Sequence, residues 1–290
     1  MCQPVGVSSD EERLDGGWQT EVTRRGGIVL RKPGPQSSTV IALLAHLSAE
    51  GFDAAPRPVG SGFDADGREQ LSFIGGASPH PLAWSNEALW LIGKQLAGLH
   101  QATKTFKPQH PQWRPWFARS LPGSMPVIGH GDLGPWNIIA RDGLPVAFID
   151  WDNAGPVDAA WELAQVVWLN AQLHDDDVAA LNELPGPTDR ARQAALILDG
   201  YGLSREDREG FVDKMIEFAV RSTRDEAVLS HVGPDTSSPS PNGFPLLWAV
   251  VWRARAAAWM LDHRSLLQSM LARADAPPSP QPHTPREGRS

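Results

Sequence analysis

The stretch from Val127 to Asp152 constrains the fold more than any other: Val-Ile-Gly-His-Gly-Asp-Leu-Gly-Pro-Trp-Asn-Ile-Ile-Ala-Arg-Asp-Gly-Leu-Pro-Val-Ala-Phe-Ile-Asp-Trp-Asp. Asp142-Gly143, set between two apolar runs, is a strong two-residue hairpin signal. Residues 137–140 should therefore pair antiparallel with residues 145–149. Counting outward from the turn sets Asn137 opposite Phe148, with Asp150 just beyond the same end. Asp132, Asn137 and Asp150 are thereby expected to converge.

One loop carboxylate, one carboxamide and one strand-end carboxylate form a set of hard oxygen donors. Such a set suits Mg²⁺, which takes one or two protein carboxylates and completes its shell with substrate phosphates and water. The chemistry this points to is phosphoryl transfer, with an Asp accepting the proton of an attacking hydroxyl. Taken singly, each residue also has a structural reading, since Asp and Asn close turns and cap strands. Three such coincidences at this spacing are a weaker explanation than one site. His130 is read as structural, bonding a backbone carbonyl. Asp152 and Asp158 stand close by, and Asp158 is explained as the cap of a helix starting near Ala159. The remaining His residues show no compact metal-ligand spacing.

The rest of the chain divides in two. Before Gly75, short extended runs at residues 19–23, 28–31, 58–60 and 69–74 surround one helix, capped by Ser37 or Ser38 and ending before Gly51. After Gly76, helices dominate: one capped by Ser85 or Asn86 and running to about Thr103, then residues 159–173, 190–201, 205–230 and 244–274. Asp175, Asp176 and Asp177 read as a loop or helix start. Residues 233–243 look irregular, and residues 277–290 are expected to be disordered. The organisation is an N-terminal extension at 1–13, a small sheet-rich lobe at 14–75, a larger helical lobe at 76–276 and the tail.

The chain has 290 residues, with 26 Lys+Arg against 34 Asp+Glu, a net charge of −8. That balance, without a basic block, excludes a protein held on nucleic acid or an anionic membrane by phosphate contacts. The most apolar stretch, residues 245–261, carries Arg253 and Arg255 and is too short to span a bilayer. A lone Cys2 and a polar start fit a cytoplasmic protein. Twelve Trp stand against one Tyr. Trp136 and Trp151 flank the polar segment, while Trp161 with Trp168, and Trp248, Trp252 and Trp259, share helix faces and read mainly as core.

The spacing His130-x-Asp132-x-x-x-x-Asn137 matches the kinase catalytic loop, with Gly131 where protein kinases have Arg. Together with the later Ile149-Asp150-Trp151, it resembles the aminoglycoside phosphotransferase family across roughly residues 14–275. The resemblance implies an α+β, protein-kinase-like bilobal fold with a small β-rich N-lobe and a larger, mainly helical C-lobe. It further implies a small-molecule kinase that uses ATP or GTP with Mg²⁺, Asp132 as base, and Asn137 and Asp150 as metal ligands. In such kinases a cation on the third strand meets the nucleotide phosphates, and here Arg31 aligns best, with Lys32 next. The helix acid that usually holds this cation is missing, because residues 37–49 contain none and Glu50 comes only at the end. Asp15-Gly16-Gly17 is a poor phosphate loop. Both departures leave a second reading open: a kinase-like protein that binds nucleotide or ligand with little catalysis.

Residues 71–76 resemble the family hinge, which implies adenine contacts from the backbone of Ser72 and Ile74. The acceptor is expected on the helical lobe, where Glu162, Asp175, Asp176, Asp177, Glu217, Asp225, Glu226 and Asp262 offer acids for an aminoglycoside or other cationic alcohol. Relatives sharing the motif act on aminoglycosides, macrolides, choline, homoserine or sugar derivatives, and a shared fold does not choose among them.

Overall fold

A computed structural model describes residues 11–14, 22–237, 243 and 245–273. The Asp15-Gly16-Gly17 segment, residues 19–21 of the first expected strand, the N-terminal ten residues and the tail lie outside the described residues. The elements in chain order are β1 (Glu12–Arg13), β2 (Val22–Arg25), β3 (Ile28–Arg31), α1 (Ser37–Ala49), β4 (Pro58–Phe63), β5 (Glu69–Ser72) and α2 (Asn86–Ala102). They continue with β6 (Pro126–Gly129), β7 (Ile138–Arg141), β8 (Leu144–Phe148), β9 (Gly155–Asp158) and α3 (Ala159–Asn170). The chain then runs through α4 (Asp176–Leu181), α5 (Pro187–Tyr201), α6 (Phe211–Leu229), α7 (Leu246–Asp262) and α8 (Arg264–Leu271).

The first five strands make one antiparallel sheet in the order β1-β2-β3-β5-β4. Helix α1 packs against it through Val40, Leu43, Leu44 and Leu47, all buried. Ser37 does not cap α1 in the expected way: Gln36 is the N-cap, and the Ser37 hydroxyl accepts from the Gly34 amide at 2.8 Å. Ser85 does cap α2, accepting from the Ala88 amide at 3.1 Å. Asp158 caps α3 by accepting from Ala160 at 3.0 Å and also takes the Met125 amide at 2.8 Å.

Two helical spans differ from the sequence expectation, while the acid triple is a helix start as expected. The span before Ser230 starts late, because Gly210 turns left-handed and leaves residues 206–208 as a separate 3-10 turn. The span 244–274 is two helices that meet at His263. The acid triple starts α4, with Asp175 as its cap. Pairing of β6 with β9 has no clear signature in the sequence, since both strands are four residues long.

Helix α3 is the centre of the helical part: of its twelve residues only Ala160 escapes burial. Burial on all sides is tolerated because eight of the eleven buried side chains are apolar and the three polar ones, Glu162, Gln165 and Asn170, each have a hydrogen-bond partner. Among the described residues no helix is long and apolar enough to cross a membrane.

Candidate active site

The β7–β8 turn has positive φ at both central residues, 53° at Asp142 and 76° at Gly143, the conformation that Asp-Gly favours in hairpins. Its register differs from a simple count. Ile138 faces Phe148 and Ile139 faces Ala147, but Ala140 faces Pro145, so Val146 is an extra residue in β8. Pro145 has no amide hydrogen for the ladder, and the bulge falls beside it. Asn137 is consequently opposite Ile149 rather than Phe148, and accepts the Ile149 amide at 2.9 Å. The convergence survives because Asp150 follows directly.

His130 is fully buried and joins the two sides of the site. Its Nδ1 accepts the Asp132 amide at 3.3 Å, which leaves Nε2 to donate to the Ile149 carbonyl at 2.9 Å. Burial holds this imidazole below its ordinary pKa and therefore neutral. Asn137 Nδ2 donates to the Asp132 carbonyl at 2.8 Å and to its carboxylate at 3.1 Å, so Oδ1 is the atom left for a ligand. The Asp132 carboxyl is pushed up to about 6, first by removal from water and then by the negative Asp150; Arg253, Trp136 and Asn137 act the other way. A base tuned toward neutrality suits proton acceptance from a hydroxyl.

Asp150 adopts φ 61°, ψ 68°, a left-handed conformation that Asp tolerates better than most residues. It turns the chain sharply into the 3-10 turn of residues 151–153. Arg31, at the end of β3, meets both acids of this turn: Asp150 at 3.4 Å and Asp152 at 2.6 Å. Lys32 beside it is exposed.

The residue that the sequence reading missed is Glu69. It lies directly across from Arg31 in the β3–β5 pair, is 2% exposed, and its carboxylate receives both the Arg31 Nε–H and the Ser37 hydroxyl. The partner absent from α1 is thus supplied by the adjacent strand. A signal for it existed: Glu69 shares its inward parity with buried Leu71, and an acid on the core side of a strand needs a cation. Of the hinge residues, Ser72 already donates its amide to the Arg57 carbonyl at 2.8 Å. The Ile74 amide, past the end of β5, has no partner among the described residues. Residues 75–77 are tied to the hairpin by the reciprocal Ala77–Ala140 bonds, 3.1 and 2.9 Å, and by Arg141 donating to the Gly75 carbonyl at 3.1 Å.

Three polar side chains of α3 grip the His130–Leu133 loop. Glu162 accepts the Gly131 amide at 2.7 Å, Gln165 donates to the Gly131 carbonyl at 3.3 Å, and Asn170 donates to the Leu133 carbonyl at 2.8 Å. Glu162 is itself braced by His100 Nε2 at 2.6 Å, whose Nδ1 meets the Tyr201 hydroxyl at 2.8 Å. Gly131 has φ 83°, and a Cβ there would run into the Asn153 carbonyl, which accounts for glycine between His130 and Asp132. Most acids offered by the sequence for a cationic acceptor already have partners. Besides Glu162, Asp175 and Asp177 pair with Arg255 at 2.7 and 2.5 Å, and Asp176 with Arg190 at 3.3 Å. Glu217 pairs with Arg221 at 2.6 Å and Glu226 with Arg253 at 3.5 Å.

A sheet bearing a buried, acid-held arginine over a His-Gly-Asp loop and an Asp at a hairpin end is the arrangement of a protein-kinase-like small-molecule kinase. Residues 76–206 match the model of the phosphotransferase enzyme family. The trifolitoxin immunity protein of Rhizobium leguminosarum bv. trifolii is 54% identical over 265 residues, covering 91% of this chain and 100% of that protein. Among solved structures, a choline/ethanolamine kinase family protein from Mesorhizobium loti superposes with TM-score 0.59 at 16% identity, over 92% of this chain and 94% of the other. A macrolide 2′-phosphotransferase from Brachybacterium faecium gives TM-score 0.52 at 16% identity, over 88% and 93%. The chain belongs to the phosphotransferase enzyme family, and membership implies use of a nucleotide.

Proposed function

We propose that the protein transfers the γ-phosphoryl group of ATP or GTP to a hydroxyl of a toxin-like small molecule, in a Mg²⁺-dependent reaction. The observation that carries this reading is the meeting of Asp132, Asn137 and Asp150 beneath Arg31. Asp132 takes the proton as the acceptor oxygen bonds to the γ-phosphorus. The bond from that phosphorus to the β–γ bridging oxygen breaks, and the nucleoside diphosphate leaves with the electron pair. Mg²⁺, when bound, offsets phosphate charge; Asn137 Oδ1 and the Asp150 carboxylate, a hard-oxygen pair, are the groups that would hold it. Arg31, kept in place by Glu69, serves the phosphates. The nucleotide base would lie by the hinge, where the Ile74 amide is open to a partner and Ser72 contributes its carbonyl. The sheet-rich residues 14–75 then form the nucleotide lobe and residues 76–276 the catalytic and acceptor lobe, in a cytoplasmic protein.

The acceptor class is taken from the immunity protein named above. The binding-only alternative drew on the absence of a helix acid and on the poor phosphate loop; Glu69 answers the first of these. The test is protection of a trifolitoxin-sensitive strain by the wild-type chain and by Asp132→Ala. Protection that disappears with Asp132 supports phosphorylation of the toxin. Equal protection by the variant contradicts it and favours sequestration.

A further inference from the structure

The turn that follows Asp150 is gripped at both ends. Residues 151–153 form a single 3-10 turn with Asp150 as its N-cap, and at that end Arg31 reaches in from the sheet to meet Asp150 and Asp152. At the other end a second arginine, Arg119, arrives from the helical lobe. Its Nη2 donates to the Asn153 carbonyl at 2.9 Å and the Ala154 carbonyl at 3.1 Å, its Nη1 to the Pro156 carbonyl at 3.3 Å, and its Nε to the Arg114 carbonyl at 2.9 Å. The two grips differ in kind. Arg31 holds acids, whose place a phosphate can take, whereas Arg119 holds the open carbonyls at the end of a helical turn, which need a donor whether or not nucleotide is bound.

The surroundings make room for Arg119 and anchor it. Gly155 has φ 152°, and a Cβ there would run into the guanidinium, so the chain gives up a side chain at this position. Arg119 lies in the 3-10 turn Phe117–Ser120, and that segment is fixed to the core by Trp116 and Phe117, whose rings pack on Phe218 of α6 at 6.1 and 5.2 Å between centroids. The Asn153 carbonyl is also the group against which Gly131 closes. One bond from Arg119 therefore ends on the atom where the Asp150 turn touches the Asp132 loop. Burial pulls the guanidinium down to about 10, with Glu162 acting the other way, and it stays charged at neutral pH.

We propose that Arg119 is a positioning residue for phosphoryl transfer: it fixes the Asp150 turn against the Asp132 loop, so that Asp150 keeps its place when Arg31 leaves it for the nucleotide phosphates. The inference rests on the phosphotransfer reading above and adds to it a residue that touches neither nucleotide nor acceptor. Shape matters here as well as charge, because a lysine ammonium has no planar fork to span the Asn153, Ala154 and Pro156 carbonyls. Loss of a group that supports a metal ligand from behind costs about 10–100-fold in metal affinity or activity.

The test measures ATP binding by calorimetry in MgCl2 and in EDTA, for the wild type, Arg119→Gln and Arg119→Lys. In EDTA both variants should bind ATP as the wild type does. The gain in ATP affinity on adding Mg²⁺ should shrink by about tenfold or more in Arg119→Gln, and ADP release from Mg-ATP should fall with it. Arg119→Lys should recover part of the gain. A folded Arg119→Gln with the wild-type Mg²⁺ gain would overturn the proposal, as would an equal loss of ATP affinity with and without Mg²⁺, which marks a residue needed for the fold alone. If Arg119→Gln does not fold, Arg119→Lys decides: a reduced gain with ATP binding in EDTA kept supports the proposal, and a wild-type gain overturns it. Wild-type protein whose ATP affinity ignores Mg²⁺ would instead bring down the Mg²⁺-dependent reading itself, and this proposal with it.

Discussion

Arg31 makes three ion pairs at the site, and each has a different meaning. The pair with Glu69 is buried and fixes where the guanidinium sits; the contact with Asp152 orients it; the 3.4 Å contact with Asp150 is long enough to exchange for a phosphate. Glu69→Gln keeps the shape but removes the charge that offsets a buried guanidinium, and breaking such a pair is expensive. The expected outcome is a rise in KM for ATP of about tenfold or more with a smaller fall in kcat, read by steady-state kinetics. An unchanged KM would remove Glu69 from the nucleotide site. That residue was only half legible in the sequence. Asp132, Asn137 and Asp150 announce themselves by spacing along one segment, whereas Glu69 acquires its role from the register of two strands that are 38 residues apart in the chain.

At the scale of elements, the catalytic loop is held from both sides. His130 ties it to the end of β8, and Glu162, Gln165 and Asn170 tie it to α3. The loop closes only because Gly131 adopts φ 83° against the Asn153 carbonyl. Gly131→Ala should therefore destabilise the protein by about 1–3 kcal/mol, seen as a lower Tm, and reduce turnover more than nucleotide binding. A variant with wild-type Tm and turnover would show that the loop does not need this conformation. The hairpin that opens the site was legible from Asp142-Gly143, α1 from its periodicity, and α2 from its periodicity and its Ser85 cap. The bulge at Val146 was not, because nothing local distinguishes an extra strand residue from a paired one. The break at His263 was likewise hidden inside a continuous helical pattern.

At the scale of the molecule, the helical core contains ionisable groups held in single states. His174 is held neutral with its pKa lowered to about 4, His130 is lowered too, and Glu162 is held charged below its ordinary value by His100 and the Gly131 amide despite burial. The signs agree. A histidine whose folded pKa is depressed is protonated more readily in the unfolded chain, so its contribution is complete above about pH 6.5 and falls as pH drops toward 4. Glu162 adds a loss of the same sign once pH falls below the ordinary carboxylate range. The shift of His174 from 6.5 to about 4 corresponds to about 3 kcal/mol of stability. Denaturant melts at pH 7 and pH 4.5 should show this loss, and His174→Gln should flatten part of the slope. Equal slopes would mean that His174 opens to water. The −8 charge, first useful for excluding polyanionic partners, is not carried by the acids of α4 and α6 that pair with arginines, so the excess lies in other acids.

All three scales meet in Asp132, so the most direct measurement is acceptor-stimulated ADP release in Mg-ATP by the wild type and by Asp132→Asn. The prediction is a loss of about 10²–10⁴-fold in kcat in the variant, with the Mg-ATP thermal shift retained. Turnover by Asp132→Asn at the wild-type rate would contradict the assignment of Asp132 as the base on which the phosphotransfer reading depends.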